Sequence, residues 1–535
     1  MRFQRGILLD WRMALGVGWL CVAGCQGVEP SAGLLGEINF PNSGLAAAQP
    51  AFMEGVLYLH NFEYEQAAVS FRQAQDIDST FALAYWGEAM THHHTIWREH
   101  DQRAAEAVLL RLGATPEQRA AKAPTGREKG YLRAIEVLLG TDADAESGGG
   151  TLDERRVRYR EEMRRLHEAY PDDDEATVFF ALAILGEGRA NRDFGTYMRA
   201  AGKLLAVWEA NPMHPGAAHY LIHSFDDPTH APLGLGMAVA YSKIAPAAAH
   251  AQHMTSHIFL GLGMWKPMVT ANETALAIEL EETEDWTREA SHYVHWLHYG
   301  YLQQGRYELA DSLIQIARER LRSGASARER GYYGTLYARH LVETGAWGAE
   351  ERWRAPSGVE IPSPNYYFVR ALAALERGDL DEARRAARLV RAGGEGNPEV
   401  VLGEDVAEIL QLELEAMLAY ASGDESDALT LLAEASARER AMPPRFGPPA
   451  VVKPATEMLA DVLNRTGHAH EALAAYQDQL LRTPRRSQTL LGLARAARAV
   501  GDTAEAARAT LELLEVWTSA DPDVRGRAGG SDPEG

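Results

Sequence analysis

Two histidine pairs recur in this chain at a fixed distance. His219 and His223 are four residues apart, as are His253 and His257, and the second pair follows the first by 34 residues (253 − 219 = 34; 257 − 223 = 34). A repeat of this length is typical of a helix–turn–helix unit that stacks beside its neighbours, so that equivalent residues of adjacent units lie side by side. The spacing therefore predicts a helical array in which the four imidazoles converge.

The rest of the sequence also has a helical pattern. Apolar residues recur at intervals near 3.6, alanine is abundant, and the alternation expected of β-strands is missing. Glycines stand where turns between helices are expected, at Gly263, Gly305, Gly345, Gly378, Gly423, Gly467 and Gly501. We therefore predict an all-α fold.

Several segments resemble tetratricopeptide repeats (TPRs), in which small residues occupy the positions where paired helices approach. The matching residues are Tyr64, Ala67, Phe71 and Ala74, and later Ala472, Tyr476 and Pro484. The resemblance covers most of residues 48–517 and implies a right-handed superhelical solenoid with a concave groove. It also implies that the first helix of each repeat lines the groove, mainly through positions two, five, nine and twelve.

Turn and proline residues fix the register of three consecutive repeats without any use of the histidines. Gly263, Trp265 and Pro246, for example, make Ala249 the first position of the middle repeat. The resemblance then places the following residues in the groove: His219, His223 and Asp226 in one repeat, His250, His253 and His257 in the next, and His292 and His295 in the third. Three other histidines fall outside these positions: His214, His230 and His298.

This placement favours a transition-metal site. Cβ atoms four residues apart on a helix are about 5–6 Å apart, and packed helices have axes about 8–10 Å apart. Imidazoles of adjacent helices can therefore meet one ion at about 2.0–2.1 Å. Imidazole suits zinc, copper, iron or nickel and does not select among them. Asp226 either ligates the ion or orients an imidazole. The alternatives are a polar groove for an acidic or aromatic ligand, and histidines that only pack.

A histidine triplet, His92 to His94, lies several repeats upstream. It joins the other histidines only if the solenoid curls far round. Successive residues of a helix also point in different directions, which makes the triplet alone a poor chelator. The sequence leaves its role open.

The N-terminal residues predict export. Three arginines precede an apolar run over residues 13–23, which is too short for a permanent transmembrane helix and is typical of a secretory signal. Residues 22–25, Val-Ala-Gly-Cys, resemble the bacterial lipoprotein box, which implies lipidation of Cys25. By the same resemblance, Gln26 favours an outer-membrane location facing the periplasm. An ordinary secretory signal with a chance cysteine is the alternative.

Composition divides the chain into four parts. We expect a lipoprotein signal peptide over residues 1–25, a tether over 26–47, the TPR solenoid over 48–518 and a disordered tail over 519–535. Breaks rich in glycine or proline predict loops near 140–154, 354–364 and 442–454.

Charge and missing motifs narrow the function. The formal net charge of −22 argues against nucleic acid as a partner, and against a membrane surface except through the N-terminal lipid. Phosphate-binding glycine loops, dinucleotide fingerprints and the motifs G-x-S-x-G and H-E-x-x-H are absent from the sequence. The usual hydrolase and nucleotide-binding signatures are therefore lacking.

The segments HPGAAHYLIH and HMTSHIF resemble those of a group of bacterial TPR proteins with histidine-rich first helices. Such a resemblance implies a fold more than an activity. The sequence thus predicts an exported, lipid-anchored scaffold of the cell envelope, whose groove binds a protein or small-molecule ligand and a transition metal. A metal-dependent enzyme and a metal-free interaction scaffold are the two alternatives.

Overall fold

Helices make up almost every segment of the chain that the structure describes. The structure is a computed structural model, and it describes residues 33–142, 150–187, 193–283, 286–392 and 404–529. The predicted signal peptide, Cys25 and residues 26–32 of the predicted tether lie outside these ranges. No described helix is both long enough and apolar enough to span a bilayer.

The helices of the first half are α1 (Gln49–His60), α2 (Tyr64–Ile77), α3 (Ala82–Met90), α4 (Gln102–Leu112), α5 (Pro116–Ala120), α6 (Gly126–Leu139), α7 (Leu152–Ala169), α8 (Asp174–Gly186), α9 (Phe194–Ala210), α10 (Pro215–Phe225), α11 (Ala231–Ile244) and α12 (Ala249–Gly261). Two short strands, β1 (His93–His94) and β2 (Glu99–His100), form an antiparallel hairpin between α3 and α4.

The second half contains α13 (Trp265–Thr283), α14 (Arg288–Gln303), α15 (Tyr307–Arg322), α16 (Ala327–Thr344), α17 (Pro364–Glu376), α18 (Leu380–Ala392), α19 (Glu404–Ala421), α20 (Glu425–Ala441), α21 (Ala455–Arg465), α22 (Ala469–Arg482), α23 (Ser487–Ala499), α24 (Thr503–Val516) and α25 (Pro522–Gly526). The 3₁₀ turns are Ala46–Ala48, Trp347–Trp353, Trp517–Ser519 and Arg527–Gly529.

Consecutive helices pack in pairs, such as α12 with α13 and α19 with α20. In six helix pairs the turn after the first helix contains one of the glycines predicted from the sequence, and the seventh, Gly345, lies between α16 and the 3₁₀ turn Trp347–Trp353. All seven glycines have positive φ, between 64° and 87°. Glycine reaches this left-handed conformation without the strain that a Cβ atom causes, and it ends the first helix. The predicted all-α array is confirmed.

The 34-residue period appears directly in the helix starts. Helix α10 begins at Pro215 and α12 at Ala249 (249 − 215 = 34), and the two helices contact each other. Proline suits the first position of α10, where its missing N–H has no helical partner to lose. Helix α10 also contacts α1, which comes much earlier in the chain. The N-terminal helix pair therefore lies beside the histidine-bearing helices.

Two segments differ from their predicted flexibility. Residues 33–47, expected to belong to a tether, include Leu35 and Phe40, which are both buried. The Phe40 ring lies 5.4 Å from that of Phe52 and 5.3 Å from that of Tyr131. Burial of these apolar side chains orders a stretch whose prolines and serines suggested a linker.

The start of the predicted tail is ordered in the same way. Val524 and Ala528 are buried, and the backbone N–H of Asp521 donates to the carbonyl of Gly305 at 3.0 Å. Val524 shares an apolar cluster with Trp265, Tyr299 and Trp517. Residues 519–529 therefore pack against the turn between α14 and α15.

The loop over residues 442–454, here called the proline loop, connects α20 to α21 and returns to the middle of the array. Arg339 Nη2 donates to the carbonyls of Pro448 and Pro449 at 3.2 and 3.0 Å. The Phe446 ring lies 6.2 Å from the ring of His223. The proline loop thus brings a distant part of the sequence next to the histidines.

Candidate metal centre

Three of the predicted ligands converge in the interior of the protein. His219 and His223 come from α10 and His250 from the first turn of α12, and all three are buried. One ring nitrogen from each lies within 4.8 Å of the other two. We call these three residues the first histidine cluster. The 34-residue repeat explains the meeting, because it places the two helices side by side.

Hydrogen bonding fixes the tautomer of His219. Its Nδ1 lies 2.7 Å from the backbone carbonyl of His60, which can only accept, so the ring proton is on Nδ1. The opposite nitrogen, Nε2, is then a bare lone pair. It is buried and has no hydrogen-bond partner, and Nε2 of His250 is in the same condition. Buried polar atoms are rarely left without a partner unless an ion or water serves them.

The electrostatic surroundings keep these rings neutral. Burial lowers the pKa of His219 to about 3. Burial, together with the neighbouring His219 and His253, holds the pKa of His250 well below its usual range. Neutral imidazole is the form that binds metals, because protonation removes the ligating lone pair.

Phe62 covers the first histidine cluster. Its ring centroid lies 4.3 Å from that of His219 and 5.5 Å from that of His250. Phe62 occupies the turn between α1 and α2 with a φ of 58°, a conformation that costs an ordinary residue about 1–2 kcal/mol. Trp97 of the β hairpin lies 5.3 Å from the His250 ring. The histidine face is therefore an enclosed site and not an open groove.

A second row of imidazoles lies next to the first cluster. Nε2 of His253 is 3.2 Å from Nε2 of His257 and 3.1 Å from Nε2 of His292. On the far side of its ring, His257 Nδ1 donates to the Asp226 carboxylate at 2.6 Å. His253 Nδ1 contacts the amide oxygen of Asn272 at 2.7 Å. Asp226 thus contacts His257 directly, and its role at a metal ion stays a prediction.

His295 stands apart from both rows. Its Nε2 accepts from the Arg339 guanidinium at 2.9 Å, and its ring lies 5.1 Å from that of Tyr332. This hydrogen bond uses the lone pair of His295 Nε2. The structure therefore does not bring this predicted ligand together with His219, His223 or His250.

The histidine triplet forms its own contacts in and before the β hairpin. His93 Nδ1 lies 2.9 Å from Nδ1 of His100, and His94 Nδ1 lies 2.9 Å from a carboxylate oxygen of Glu99. The hairpin reaches the first histidine cluster through Trp97 and not through the triplet.

A second group of buried histidine and carboxylate side chains was not predicted from the sequence. His60, Glu175 and His214 are buried, with ligand atoms within 4.8 Å of one another. His60 Nε2 is 2.8 Å from one Glu175 oxygen, and Tyr220 Oη is 3.1 Å from His60 Nδ1. His214 Nδ1 accepts from the Ala217 N–H at the start of α10, so its Nε2 carries a proton and faces Glu175 at 3.3 Å. His60 thus hydrogen-bonds to one oxygen of this carboxylate, whereas the other oxygen and His214 Nε2 approach each other without forming a hydrogen bond.

A cavity of about 670 Å³ opens beside the second row. Its wall includes Asp226 and Tyr299, together with Trp265 and much of the proline loop. Burial raises the pKa of Tyr299 to about 12, and Arg486 donates to its hydroxyl at 3.2 Å. The volume is in the range of small-molecule sites in proteins, about 300–1,000 Å³.

Comparison with known proteins gives the repeat type. The tetratricopeptide repeat family model matches residues 364–388 and 487–510, which lie in α17–α18 and α23–α24. No curated protein matches the chain.

Several solved structures are similar at low identity. The human IFIT1 dimer with PPP-AAAA is 12% identical, with 89% of this chain and 92% of that chain covered and a TM-score of 0.36. Yeast Tom70 is 13% identical, with 90% and 94% covered and a TM-score of 0.28. The APC/C hetero-tetramer Cut9–Hcn1 is 12% identical, with 91% and 97% covered and a TM-score of 0.28. Likeness at this level does not extend to ligands or partners. The matched segments show that this all-α chain contains repeats of the tetratricopeptide type.

Proposed function

We propose that this protein is a repeat scaffold that binds a transition metal through His219, His223 and His250. The observation that carries the proposal is the pair of buried, unpartnered Nε2 atoms of His219 and His250, within reach of a ring nitrogen of His223. An ion bound there would give each lone pair a partner. The His60 carbonyl behind His219 is the outer contact that ligating imidazoles usually have.

The ligand chemistry restricts the metal to a class. Neutral imidazoles suit zinc, copper, iron or nickel, and the first histidine cluster contains no thiolate. Three protein ligands leave a fourth tetrahedral position for water or a substrate atom. In the present arrangement Phe62 lies over the cluster and limits access to that position.

Measurement of the bound metal tests the proposal. Protein purified without a metal-affinity tag is analysed for bound elements and then titrated with zinc, copper, iron and nickel ions. We expect stoichiometric metal in the wild type and the loss of one equivalent in the double variant His219→Ala/His250→Ala. The variant His468→Ala changes an exposed histidine and serves as the control. A wild type that neither contains nor takes up metal would leave the metal-free interaction scaffold as the function.

We also propose export and lipid anchoring, supported by the sequence of residues 22–25. Expressed with its full N-terminus, the wild type is expected in the membrane fraction and to partition into detergent. The variant Cys25→Ser should lose both properties while keeping the fold. Its unchanged partitioning would overturn the anchor.

The cavity supports a second candidate function, a metal-dependent enzyme. Asp226 orients His257 and also lines the cavity, as does Tyr299, so acid–base groups and ligand space adjoin the imidazoles. Small-molecule libraries screened by thermal shift on metal-loaded protein would identify a ligand. A ligand that is chemically altered during incubation, with Asp226→Asn inactive, would favour the enzyme over a purely binding role.

A further inference from the structure

We infer that His253 and His257 hold a second metal ion, with His292 as the third imidazole, next to the ion proposed at the first histidine cluster. This inference deepens the proposed function and rests on it for the class of metal. It depends on different residues and on a separate observation. That observation is the close approach of two Nε2 atoms, those of His257 and His292, to Nε2 of His253.

The tautomer of His253 is fixed by Asn272. The Asn272 amide nitrogen donates to the Met268 carbonyl at 2.9 Å, so its amide oxygen is the atom that faces His253 Nδ1. An amide oxygen only accepts, which places the His253 proton on Nδ1. The Asp226 carboxylate likewise accepts from Nδ1 of His257. In the neutral rings, both Nε2 atoms are therefore lone pairs.

Two lone pairs at 3.2 Å do not form a hydrogen bond, and His253 Nε2 has a second imidazole nitrogen 3.1 Å away on His292. A proton on His292 Nε2 would serve the lone pair of His253 and would still leave the lone pair of His257 Nε2 without a donor. A metal cation that binds the lone pairs of these ring nitrogens would give each of them a partner.

The two distances from His253 Nε2, 3.2 Å to His257 and 3.1 Å to His292, agree with metal geometry. Two nitrogens bound to one tetrahedral ion at about 2.0–2.1 Å are about 3.3–3.4 Å apart. Asp226 and Asn272 then act as the outer acceptors that orient ligating imidazoles. Rings of the two rows lie close together, 6.0 Å between His223 and His257 and 6.0 Å between His250 and His253. The two ions would therefore be near neighbours, and the cavity lined by Asp226 would adjoin the second one.

Cobalt(II) titration tests the inference, because tetrahedral cobalt with nitrogen ligands absorbs visible light. Full-length protein without an affinity tag is titrated with cobalt(II), and bound metal is counted after gel filtration. We expect two equivalents in the wild type and one in His257→Gln or His292→Gln. The control His295→Gln lies on the same helix as His292 but contacts Arg339, and it should keep two.

The outcomes separate the two sites. A wild type that binds a single equivalent, lost in His250→Ala and kept in His257→Gln, would overturn the second ion and leave the proposed function intact. If neither the wild type nor any variant binds cobalt(II), the second ion and the proposed function are both overturned. Circular dichroism melting of each variant shows whether it is folded, and the wild-type stoichiometry tests the second ion even if a variant does not fold.

Discussion

At the scale of single residues, His219 and His253 each have one ring nitrogen fixed by an acceptor. The acceptors are the carbonyl of His60 and the amide oxygen of Asn272. Each fixes the proton on Nδ1 and turns Nε2, as a lone pair, toward the other imidazoles. The chemistry of the imidazoles therefore depends on neighbours that are not themselves ligands.

Asn272→Leu tests this dependence. Leucine removes the acceptor of the His253 Nδ1 proton, so we expect metal at the second position to bind about 10–100-fold more weakly. Competition with a chromophoric chelator measures the affinity. Asn272→Asp retains an oxygen acceptor and should stay closer to the wild type. Equal affinities in Asn272→Leu and the wild type would contradict an orienting role for Asn272.

The repeat register anticipated part of the site. It placed His219, His223 and His250 among the groove residues, but it predicted that His219 and His223 converge with His253 and His257, whereas the structure groups them with His250. It gave no sign of His60 or Phe62, since the register describes contacts between adjacent repeats and these residues belong to a pair much earlier in the chain. His295 fits the register, yet its ring nitrogen faces Arg339, a partner that spacing alone does not reveal.

At the scale of elements, turns and loops set where helix pairs meet. Turn glycines were readable from the sequence because left-handed φ values select glycine. The packing of residues 33–47 and 519–529 could not be read from the sequence, because it depends on a few apolar residues within polar, proline-containing stretches. The path of the proline loop was also hidden, since its anchors are backbone carbonyls that accept from Arg339.

The turn at Gly263 is a sensitive point of contact between distant repeats. Its φ is 64°, and a Cβ atom there would meet the backbone carbonyl oxygen of Pro484. Gly467 has a φ of 87° but open space around it. Both alanine variants should lose about 1–2 kcal/mol to the left-handed backbone. We expect Gly263→Ala to lose at least about 1 kcal/mol more, through the clash.

Urea unfolding of the two glycine variants measures the difference. Equal losses of unfolding free energy would show that the turn at Gly263 does not press against Pro484 in solution. The comparison is matched, because both residues end the first helix of a pair.

The last turn of α20 should make stability depend on pH. Burial raises the pKa of Glu439 from 4.5 to about 7, although a carboxylate oxygen accepts from the Ala455 N–H at 2.7 Å. The folded state therefore holds a proton that the unfolded chain releases between pH 4.5 and 7. Its contribution to stability is fully present below pH 4.5 and is lost as pH rises through 7, by at most about 1.4 kcal/mol per pH unit.

Glu439→Gln mimics the protonated form and should reduce this fall in stability. Unfolding free energies of the variant and the wild type are compared at about pH 5 and about pH 8, roughly the two ends of the titration. Glu434→Gln changes an exposed carboxylate of the same helix and should leave the pH dependence unaltered. A pH dependence unchanged in Glu439→Gln would contradict the shifted pKa.

At the scale of the whole molecule, the C-terminal helices stabilise the centre of the chain. Trp517 is buried in a cluster with Trp265 and Tyr299, and its Nε1 donates to the Gln303 carbonyl at 3.1 Å. Contacts of this kind add to the nearest-neighbour packing on which repeat arrays usually depend. A destabilising substitution near the C-terminal end should therefore also destabilise α14.

Trp517→Ala tests that coupling. Loss of the buried ring should lower the unfolding free energy by about 3–5 kcal/mol. Hydrogen exchange should also become faster in α14, well away in sequence. Leu511→Ala, an exposed site on α24, should change stability by less than about 0.5 kcal/mol. Exchange that accelerates only within α23 and α24 would show that the two regions unfold independently.

The bond between His60 and His219 also has a consequence for biosynthesis. Its partners are 159 residues apart, and Trp517 and Gln303 are 214 apart. Pairings this distant require long loops to close, which slows folding relative to assembly from one repeat to the next. While the chain is being translated, the α1–α2 pair is synthesised well before α10, the helix that it packs against. The first histidine cluster is completed only after residue 250 has left the ribosome.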